Sequence, residues 1–487
     1  MENLSKQIAP KPLRPIKVLQ FGEGNFLRAF VDWILQTMND QGKFHGDVAV
    51  VQPMADGRVK ELAMQDGLYT LLLQGVQDGK VVKQHQIIDV LGDFINPFTE
   101  YAKYLAYAKS TTLEFVVSNT TEAGIALDKT DMDFSVTPKS YPGKLLAFLK
   151  ARYDFFKGDM ARGLEILPCE LIDDNGKELQ RVLNEHTVLK GFDASFIRWL
   201  NEANHFHSTL VDRIVPGYPR NEIKEIEEGL GYHDSCLVKG EIFHLWVIEG
   251  DERFQKKFPA SECGLHVIVT GNIKPYKERK VKILNGAHTA MVPVAYLLGI
   301  DTVREGLEVP LVKHFVDAFW KKEVLPTVHL PAEEVRLFAD NVAERFLNPF
   351  IRHELMSIAL NSTTKYSTRI LPIAMDFYHV QKKVPSLCVF SLASLAVFYR
   401  GYRLNNEAIK LADSPVYLDF WADAWKHVDN TLASVSHLTE ALLSKEELFG
   451  KEFPSIPGLK QELDQDIRDI LDLGMEKALR KVLRRYE

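Results

Sequence analysis

The stretch VLQFGEGNFLRAF, residues 18 to 30, contains the features that decide the fold of the N-terminal half. The apolar run from Ile16 to Phe21 predicts a strand, and apolar residues from Asn25 to Asn39 recur at helical spacing, with Asn25 as the N-cap. Between them lies Gly22-Glu23-Gly24, a turn whose glycines allow backbone N–H groups and a helix N-terminus to approach a pyrophosphate. The stretch therefore predicts a dinucleotide-binding strand-turn-helix unit with these contact residues: Phe21, Gly22, Glu23, Gly24, Asn25 and Phe26.

This glycine fingerprint is incomplete. Leu27 occupies the place of the usual third glycine, and two glycines after a strand are also typical of an ordinary tight turn. An acidic residue about 20 or more positions further on normally binds the adenosine ribose, and Asp56, after the second predicted strand, is the nearest match. Asp56 fits a plain loop aspartate equally well.

Strand and helix patterns alternate in the first half of the chain and give way to helical periodicity in the second half. Apolar or β-branched runs predict further strands at residues 48–51, 68–73, 115–117, 166–167, 245–248 and 267–269. The helical stretch 143–156 indicates parallel βαβ units, whereas the dipeptide Asp78-Gly79 indicates a hairpin and hence a mixed sheet. We predict an α/β protein with a Rossmann-type, doubly wound mixed sheet over residues 1–271 and a mostly α-helical domain over residues 272–487.

Composition and charge exclude several classes of protein. With 46% hydrophobic and 26% charged residues among 487, the chain has the composition of a soluble globular protein with more than one core. A net charge of -7 offers no basic stripe for nucleic acid. The longest apolar runs, 290–300 and 387–399, are too short to cross a bilayer and predict buried helices, while residues 460–487 predict a charged amphipathic helix. Four scattered cysteines and a polar N-terminus favour a cytoplasmic protein with reduced thiols.

The segment SNTTEAG, residues 118 to 124, follows the strand predicted at 115–117. Open α/β sheets bind ligands at the carboxyl ends of their strands, so Ser118, Asn119 and Thr120 are predicted to contact the cofactor. A turn resembling a capping box is the alternative interpretation.

The segment KPYKERKVKILNGAHT, residues 274 to 289, carries the most specific candidate for catalysis. Pro275 can open a helix on which Lys280, Asn285 and His288 lie within an arc of about 140°. A lysine, an amide and an imidazole suit the reduction of a ketone, because a proton must reach the alkoxide and donors must stabilise its charge. A structural helix with a hydrogen-bonded core histidine remains the alternative.

Two further groups of polar residues have weaker patterns. His205, His207 and His233 lack carboxylates or thiols at metal-ligand spacing, so we predict a site without a metal. Lys365 and Arg369, in NSTTKYSTRILP, could hold a substrate carboxylate, since arginine offers that group a bidentate fork. Ordinary cations at a helix end are the alternative.

Several of these motifs together resemble the long-chain mannitol dehydrogenase family. They are QFGEGNFLRAF, SNTTEAGI, PCELIDDNG, STLVDRIVPGYPR, NIKPYKERK, ILNGAHTAMVPVA and RFLNPFIRHEL, and the similarity runs from Val18 to beyond Tyr399. The resemblance implies a Rossmann-type N-terminal domain, a helical C-terminal domain, an NAD cofactor and no catalytic metal. It also implies that the family's K-x4-N-x2-H pattern, with its acid/base lysine, falls on Lys280, Asn285 and His288.

The same resemblance implies further substrate contacts and shows two departures. The aspartate of the VDRI motif falls on Asp212, which could equally form an ion pair with Arg213, and a substrate-contacting lysine falls on Lys365. Leu171 stands where mannitol dehydrogenases have the asparagine of a CDN motif, and Lys277 replaces a glutamate three residues before the catalytic lysine. The added cation favours an acidic substrate over a neutral polyol.

The resemblance thus implies an NAD-dependent enzyme that interconverts tagaturonate and altronate, with Lys280 exchanging the proton. Reduction of fructuronate, or another polyol or uronate dehydrogenase activity of the family, is the nearest alternative. A nucleotide-binding sensor without catalysis is the alternative from a different class. The expected partner is a small-molecule sugar acid, with neither nucleic acid nor a membrane. The preference for NAD over NADP and the oligomeric state stay open, and a monomer is compatible with the sequence.

Overall fold

The computed structural model describes residues 1–120, 124–403, 405–429 and 431–486, and the chain divides into two compact units. The first unit comprises Met1–Gly75 and Val81–Ile273, and the second comprises Val76–Lys80 and Lys274–Glu487. The first unit contains the sheets, and the second is built from helices.

The strands are short and lie before residue 271 in the described part of the chain. They are β1 (Glu2–Asn3), β2 (Ile16–Phe21), β3 (Asp47–Val51), β4 (Tyr69–Gln77), β5 (Lys80–Ile88), β6 (Leu91–Ile95), β7 (Phe115–Ser118), β8 (Glu165–Pro168), β9 (His205–Phe206), β10 (Thr209–Asp212), β11 (Tyr232–His233), β12 (Val238–Glu241), β13 (Leu245–Glu249) and β14 (Val267–Thr270).

The helices occur in both units. Those of the first unit are α1 (Asn25–Ala29), α2 (Val31–Asp40), α3 (Val59–Met64), α4 (Tyr101–Ala106), α5 (Tyr141–Phe156), α6 (Asn175–Lys190), α7 (Ala194–Glu202), α8 (Ile223–Leu230) and α9 (Glu252–Lys257). Those of the second unit are α10 (Lys274–Lys280), α11 (Gly286–Leu297), α12 (Val303–Glu308), α13 (Pro310–Ala318), α14 (Ala332–Phe346), α15 (Leu355–Ile358), α16 (Ser362–Lys365), α17 (Leu371–Gln381), α18 (Ser386–Phe398), α19 (Pro415–Trp425), α20 (Leu432–Leu443), α21 (Glu446–Phe449), α22 (Leu459–Leu473) and α23 (Met475–Leu483).

The main sheet of the first unit is a parallel Rossmann-type sheet. Its strands lie in the order β6-β3-β2-β7-β8-β9, and every pair is parallel. The chain runs outward from β2 to one edge and then returns through β7 to the other edge. Strand order therefore reverses between β2 and β7, which is where open α/β sheets form a ligand crevice at their carboxyl ends. This confirms the predicted fold class.

The antiparallel elements belong to two separate small sheets, in the orders β12-β4-β5 and β10-β13-β14. The predicted hairpin joins β4 to β5, and Asp78 and Gly79 both adopt positive φ angles, of 52° and 71°, as a type I′ turn requires. The strands predicted at 245–248 and 267–269 form β13 and β14, outside the main sheet. Mixed pairing thus exists in the first unit, but not within its main six-stranded sheet.

The helix predicted from Asn25 differs from the observed one in two respects. Gly24, not Asn25, is the N-cap, and the Asn25 side-chain oxygen instead accepts a hydrogen bond from Arg28 Nη2 at 2.8 Å. The helix is also interrupted at Phe30, whose φ of -128° and ψ of -75° separate α1 from α2. The apolar side chains on both sides of this break remain buried, so the hydrophobic pattern did not reveal it.

Two buried apolar helices, α11 and α18, form the centre of the second unit. The runs predicted to be core helices fall in α11 and α18, and every side chain of α18 is buried. The charged helix predicted over residues 460–487 is divided into α22 and α23 at Gly474, which has a φ of +84°. Among the described residues, no helix combines the length and hydropathy needed to span a bilayer.

Candidate active site

A cavity of about 710 Å³ lies at the carboxyl ends of β2, β3 and β7, where strand order reverses. Its lining includes Gly22, Glu23 and Gly24 after β2, Asn119 and Thr120 after β7, and Pro53 and Met54 after β3. Five of the predicted cofactor residues, Gly22, Glu23, Gly24, Asn119 and Thr120, therefore line one cavity.

The other predicted cofactor residues take different positions. Phe21 and Ser118 are fully buried and pair with each other across β2 and β7, directly before the cavity-lining loops. Phe26 is half-buried and packs against the core, with its ring stacked on Phe30 at 5.1 Å. Asp56 is exposed in the loop beyond Met54.

The turn at Gly22 requires glycine for two reasons. Its φ of +126° is rarely adopted by residues with a side chain. An added Cβ would also lie 3.1 Å from the Leu27 side chain and 3.2 Å from the Asn119 carbonyl oxygen. At Gly24, by contrast, a Cβ would meet no atom within 4 Å. The open side of Gly24 leaves room for a ligand to approach the backbone, as a dinucleotide site needs.

Glu170 organises the loop after β7, a role that the sequence motifs did not reveal. Its carboxylate accepts hydrogen bonds of 3.0 Å from Ser118 Oγ, the Thr120 backbone N–H and Thr120 Oγ1. Burial raises the pKa of Glu170, although the hydrogen bonds from Thr120 and Ser118 oppose this effect. The side chains of Ser118 and Thr120 therefore fix the loop. Residues 121–123 of the SNTTEAG motif lie outside the described residues.

The candidate catalytic residues of the second unit lie on one continuous helical segment that contains a π turn. Lys280 ends α10, Asn285 ends the π turn Val281–Asn285, and His288 lies in the first turn of α11. Residues five apart are separated by about 140° on an α-helix, whereas an i→i+5 turn brings them close to the same face. The angle between Lys280 and Asn285 around the helix axis is therefore smaller than the angle of about 140° expected for a regular α-helix.

His288 is enclosed by aromatic and cationic side chains. Its ring stacks on Phe346, with centroids 4.2 Å apart, and meets the edge of His353 at 5.0 Å. Burial, reinforced by the neighbouring His353 and by the positive charges of Arg345 and Arg369, lowers the pKa of His288 well below its usual value. Its Nε2 atom has no hydrogen-bond partner among the described residues. His288 is therefore a neutral imidazole that retains one polar atom for another molecule.

The cations near His288 come from distant parts of the second unit. Lys365 Nζ donates to the Ile358 carbonyl at 2.8 Å, and Arg369 Nη1 lies 3.4 Å from Thr289 Oγ1. Burial, with the charge of Arg369, lowers the pKa of Lys365, and burial lowers the pKa of Arg369. The sequence patterns predicted a role for these two residues but none for Arg345, in α14, or for His353, which lies between α14 and α15. Arg345, Lys365 and Arg369 make the surroundings of His288 cationic, whereas burial and the charge of Arg345 lower the pKa of His353.

Three π turns occur in this part of the second unit, at Val281–Asn285, Phe319–Val324 and Tyr366–Ile370. The first packs against both of the others, and the third carries Arg369. π turns are rare and occur frequently at functional sites. Their convergence marks this region independently of residue types.

The remaining cations of the lysine-rich helix have structural partners. Arg279 is buried and bonds Glu334 at 2.6 Å, and Lys282 bonds Asp376 at 2.7 Å and the Thr327 carbonyl at 2.8 Å. These pairs hold the helix against its neighbours. Lys277 is half-buried on the preceding turn.

In the first unit, the predicted substrate residue Asp212 ends β10 and is almost fully buried. The neighbouring Arg213 donates hydrogen bonds to the carbonyls of Ala29, Ile242 and Phe243. Leu171, at the position of the family asparagine, has a relative exposure of 66%.

Of the histidines considered as metal ligands, His205 and His207 are neighbours, with ring centroids 6.4 Å apart. His207 bonds Glu165 at 2.8 Å, and His233 bonds Glu227 at 2.9 Å. Within the described part of the chain, no three histidine, cysteine or acidic side chains are grouped as a metal site. The four cysteines are buried free thiols.

Known proteins resemble this chain over almost its whole length. The family models described as the mannitol dehydrogenase Rossmann domain and the mannitol dehydrogenase C-terminal domain match residues 16–262 and 272–471. An altronate oxidoreductase of Bacillus subtilis (strain 168) is 42% identical over 98% of both chains. One from Bacteroides thetaiotaomicron is 40% identical over 99% of this chain and 100% of its own.

Solved structures share the fold at lower identity. Mannitol 2-dehydrogenase of Pseudomonas fluorescens, a ternary complex with NAD and D-mannitol, has a TM-score of 0.67 at 20% identity, covering 99% of this chain and 96% of its own. A D-sorbitol dehydrogenase in substrate-free form has a TM-score of 0.82 at 20% identity, covering 98% and 100%.

Proposed function

The chain belongs to the mannitol dehydrogenase family of oxidoreductases, and from this premise we propose that it interconverts tagaturonate and altronate with NAD as cofactor. Relatives about 40% identical over nearly the full length are named altronate oxidoreductase. The observation that carries the proposal is the cationic environment of His288, formed by Arg345, Lys365 and Arg369. Such an environment suits a sugar acid, because positive charge attracts a carboxylate, whereas a neutral polyol carries no charge to be attracted.

The proposed cofactor site is the cavity of the first unit. The backbone of the turn Gly22 to Gly24 would receive the pyrophosphate, with Asn25 and Phe26 at the start of the following helix and Asp56 near the adenosine ribose. Asn119 and Thr120 would contact the cofactor from the loop after β7. When bound, the nicotinamide supplies the hydride that reduces a ketone and accepts it in the reverse direction.

The proposed proton carrier is Lys280. In the direction of reduction, its ammonium group donates a proton to the oxygen of the former ketone, and in oxidation its amine takes a proton from the alcohol. Asn285, aligned with Lys280 by the π turn, donates its amide N–H to the same oxygen and stabilises the developing negative charge. His288, held neutral by its surroundings, orients that oxygen with the Nε2 atom. Every role is carried by a side chain, and the proposal requires no metal.

The proposed substrate contacts are Arg369, Lys365 and Asp212. Arg369 and Lys365 attract the carboxylate of the sugar acid, and arginine can bind it with two parallel hydrogen bonds. Asp212 accepts hydrogen bonds from substrate hydroxyl groups. The carboxylate contact separates this substrate from fructose or mannitol, which carry no charge.

Parallel assays with three ketones test the proposal. Oxidation of NADH is followed with tagaturonate, fructuronate and fructose at equal concentrations. We expect the highest kcat/KM with tagaturonate and at least about a hundredfold lower value with fructose, because fructose lacks the anion that the cations bind. A higher kcat/KM with fructuronate than with tagaturonate would show that fructuronate is the substrate and would leave the proposed mechanism unchanged. Binding of NADH without turnover of any ketone would instead favour a nucleotide sensor.

A further inference from the structure

The turn Gly22 to Asn25 is held from its buried side by two polar side chains. Gln20 Nε2 donates to the Gly22 carbonyl at 3.1 Å. Arg28 Nε donates to the Glu23 carbonyl at 3.1 Å, and Arg28 Nη2 donates to Asn25 Oδ1 at 2.8 Å. The two consecutive carbonyls of Gly22 and Glu23 therefore each accept a hydrogen bond from a buried side chain.

Arg28 is fixed at several points away from the turn. It has a relative exposure of 2%, and Nη1 donates to the carbonyl of Cys236, far along the chain. Its guanidinium group lies over the ring of Tyr69, 5.2 Å from the centroid, and the Tyr69 hydroxyl donates to the Arg28 carbonyl at 2.7 Å. A guanidinium group held in this way has little freedom to follow the turn if the turn moves.

The hydrogen bonds to these carbonyls determine where the amide groups of the turn point. In a planar trans peptide, the C=O of one residue and the N–H of the next point in opposite directions. Because the Gly22 carbonyl faces Gln20, the Glu23 N–H points away from that buried side. Because the Glu23 carbonyl faces Arg28, the Gly24 N–H also points away from it. Gly22, Glu23 and Gly24 all line the cavity.

We propose that Arg28, assisted by Gln20, is a positioning residue that orients the Glu23 and Gly24 amides toward the cofactor phosphates. This inference rests on the proposed nicotinamide dinucleotide site in the cavity. Arg28 acts through the backbone, as its side chain is buried behind the turn. Replacement by lysine keeps the charge but removes the planar fork that reaches Glu23, Asn25 and Cys236 together.

Arg152 provides a matched control for a buried arginine. Arg152 lies on α5, outside the glycine turn, and has a relative exposure of 1%. It donates hydrogen bonds to the carbonyls of Arg162, Ala108 and Ser110. Both arginines cap buried carbonyls, so Arg28→Lys and Arg152→Lys should lower the melting temperature to a similar extent. Only Arg28 is connected to the turn.

The experiment measures the affinity of the purified full chain for NADH by fluorescence titration. We expect Arg28→Lys to raise the Kd for NADH at least about tenfold, whereas Arg152→Lys leaves it unchanged. With NADH saturating, kcat of Arg28→Lys should remain within about threefold of wild type, because the affected step is cofactor binding. Equal NADH affinities for Arg28→Lys and wild type would overturn the inference, and a wild-type chain that does not bind NADH would overturn the proposed site.

A second pair of variants tests the inference if Arg28→Lys does not fold. Gln20→Met removes the donor to the Gly22 carbonyl with little change in volume, and Gln65→Met removes a buried glutamine that donates to the Leu68 carbonyl at 2.8 Å. A higher Kd for NADH in Gln20→Met alone supports the positioning role. The same Kd in both variants and in wild type contradicts it.

Discussion

The imidazole of His288 and the ring of Phe346 stack with an angle of 17° between their planes and 4.2 Å between their centroids. Phe346 ends α14, and Arg345 precedes it in the chain, so the same helix end supplies both the apolar cover of His288 and a nearby cation. Desolvation and positive charge both oppose protonation of an imidazole. The proposed substrate pocket thus has a neutral histidine within a cationic wall.

Replacing Arg369 with alanine should weaken the binding of tagaturonate selectively. The loss of a charge-assisted contact predicts a KM for tagaturonate about 10- to 100-fold higher, with an unchanged Kd for NADH. Steady-state kinetics and NADH titration measure the two effects. Lys313→Ala, which removes an exposed cation paired with Asp317, serves as the control and should change neither value. An unchanged KM in Arg369→Ala would place the substrate carboxylate elsewhere.

His288 should make the stability of the protein depend on pH. Because its pKa is lowered on folding, the unfolded chain binds a proton first as the pH falls below about 6.5. The stability that neutral His288 contributes is therefore present above pH 6.5 and lost as the pH falls further. We expect the difference in melting temperature between wild type and His288→Gln to shrink between pH 7.5 and 5.5. His427→Gln, at an exposed histidine, is the control variant, and its melting temperature is measured over the same pH range. A difference in melting temperature between wild type and His288→Gln that does not change with pH would contradict a lowered pKa for His288.

Asp32 should show the opposite dependence on pH. Burial raises its pKa to about 7, so the folded state holds a proton that the unfolded state releases above its usual value of 3.8. Stability from this group is complete below about pH 4 and is lost as the pH rises to about 7. Asp32→Asn should therefore raise the melting temperature by several degrees at pH 8 and have little effect near pH 4.5. An equal or lower melting temperature at pH 8 would show that the native site stabilises the carboxylate.

Much of the first unit was predictable from sequence because its signals are local. The apolar run at Ile16 gave the bounds of β2, and Asp78-Gly79 gave the hairpin turn. Sheet membership was not predictable, since the apolar run at Leu245 fits a strand in any sheet with a buried face. The kink at Phe30 was also missed, because a helix can break without a break in its apolar pattern.

In the candidate site, the spacing of Lys280, Asn285 and His288 was visible in the sequence, but its geometry was not. A π turn has no residue signature, so the α-helical repeat overestimated the angle between Lys280 and Asn285. Arg345 and His353 lie in the motif RFLNPFIRHEL but were given no role, because only tertiary packing brings them to His288. A motif can therefore identify a candidate catalytic helix without showing which side chains face it.

The proposed mechanism depends on Lys280 exchanging the proton with an oxygen of tagaturonate. The direct test compares wild type and Lys280→Ala for the rate of NADH oxidation with tagaturonate and for the Kd of NADH. Lys280→Ala should lower kcat at least about a hundredfold, since general acid catalysis contributes about 10² to 10⁴ in rate, and should leave the Kd for NADH within about twofold of wild type. A kcat close to that of wild type, or losses of equal size in turnover and NADH binding, would contradict it.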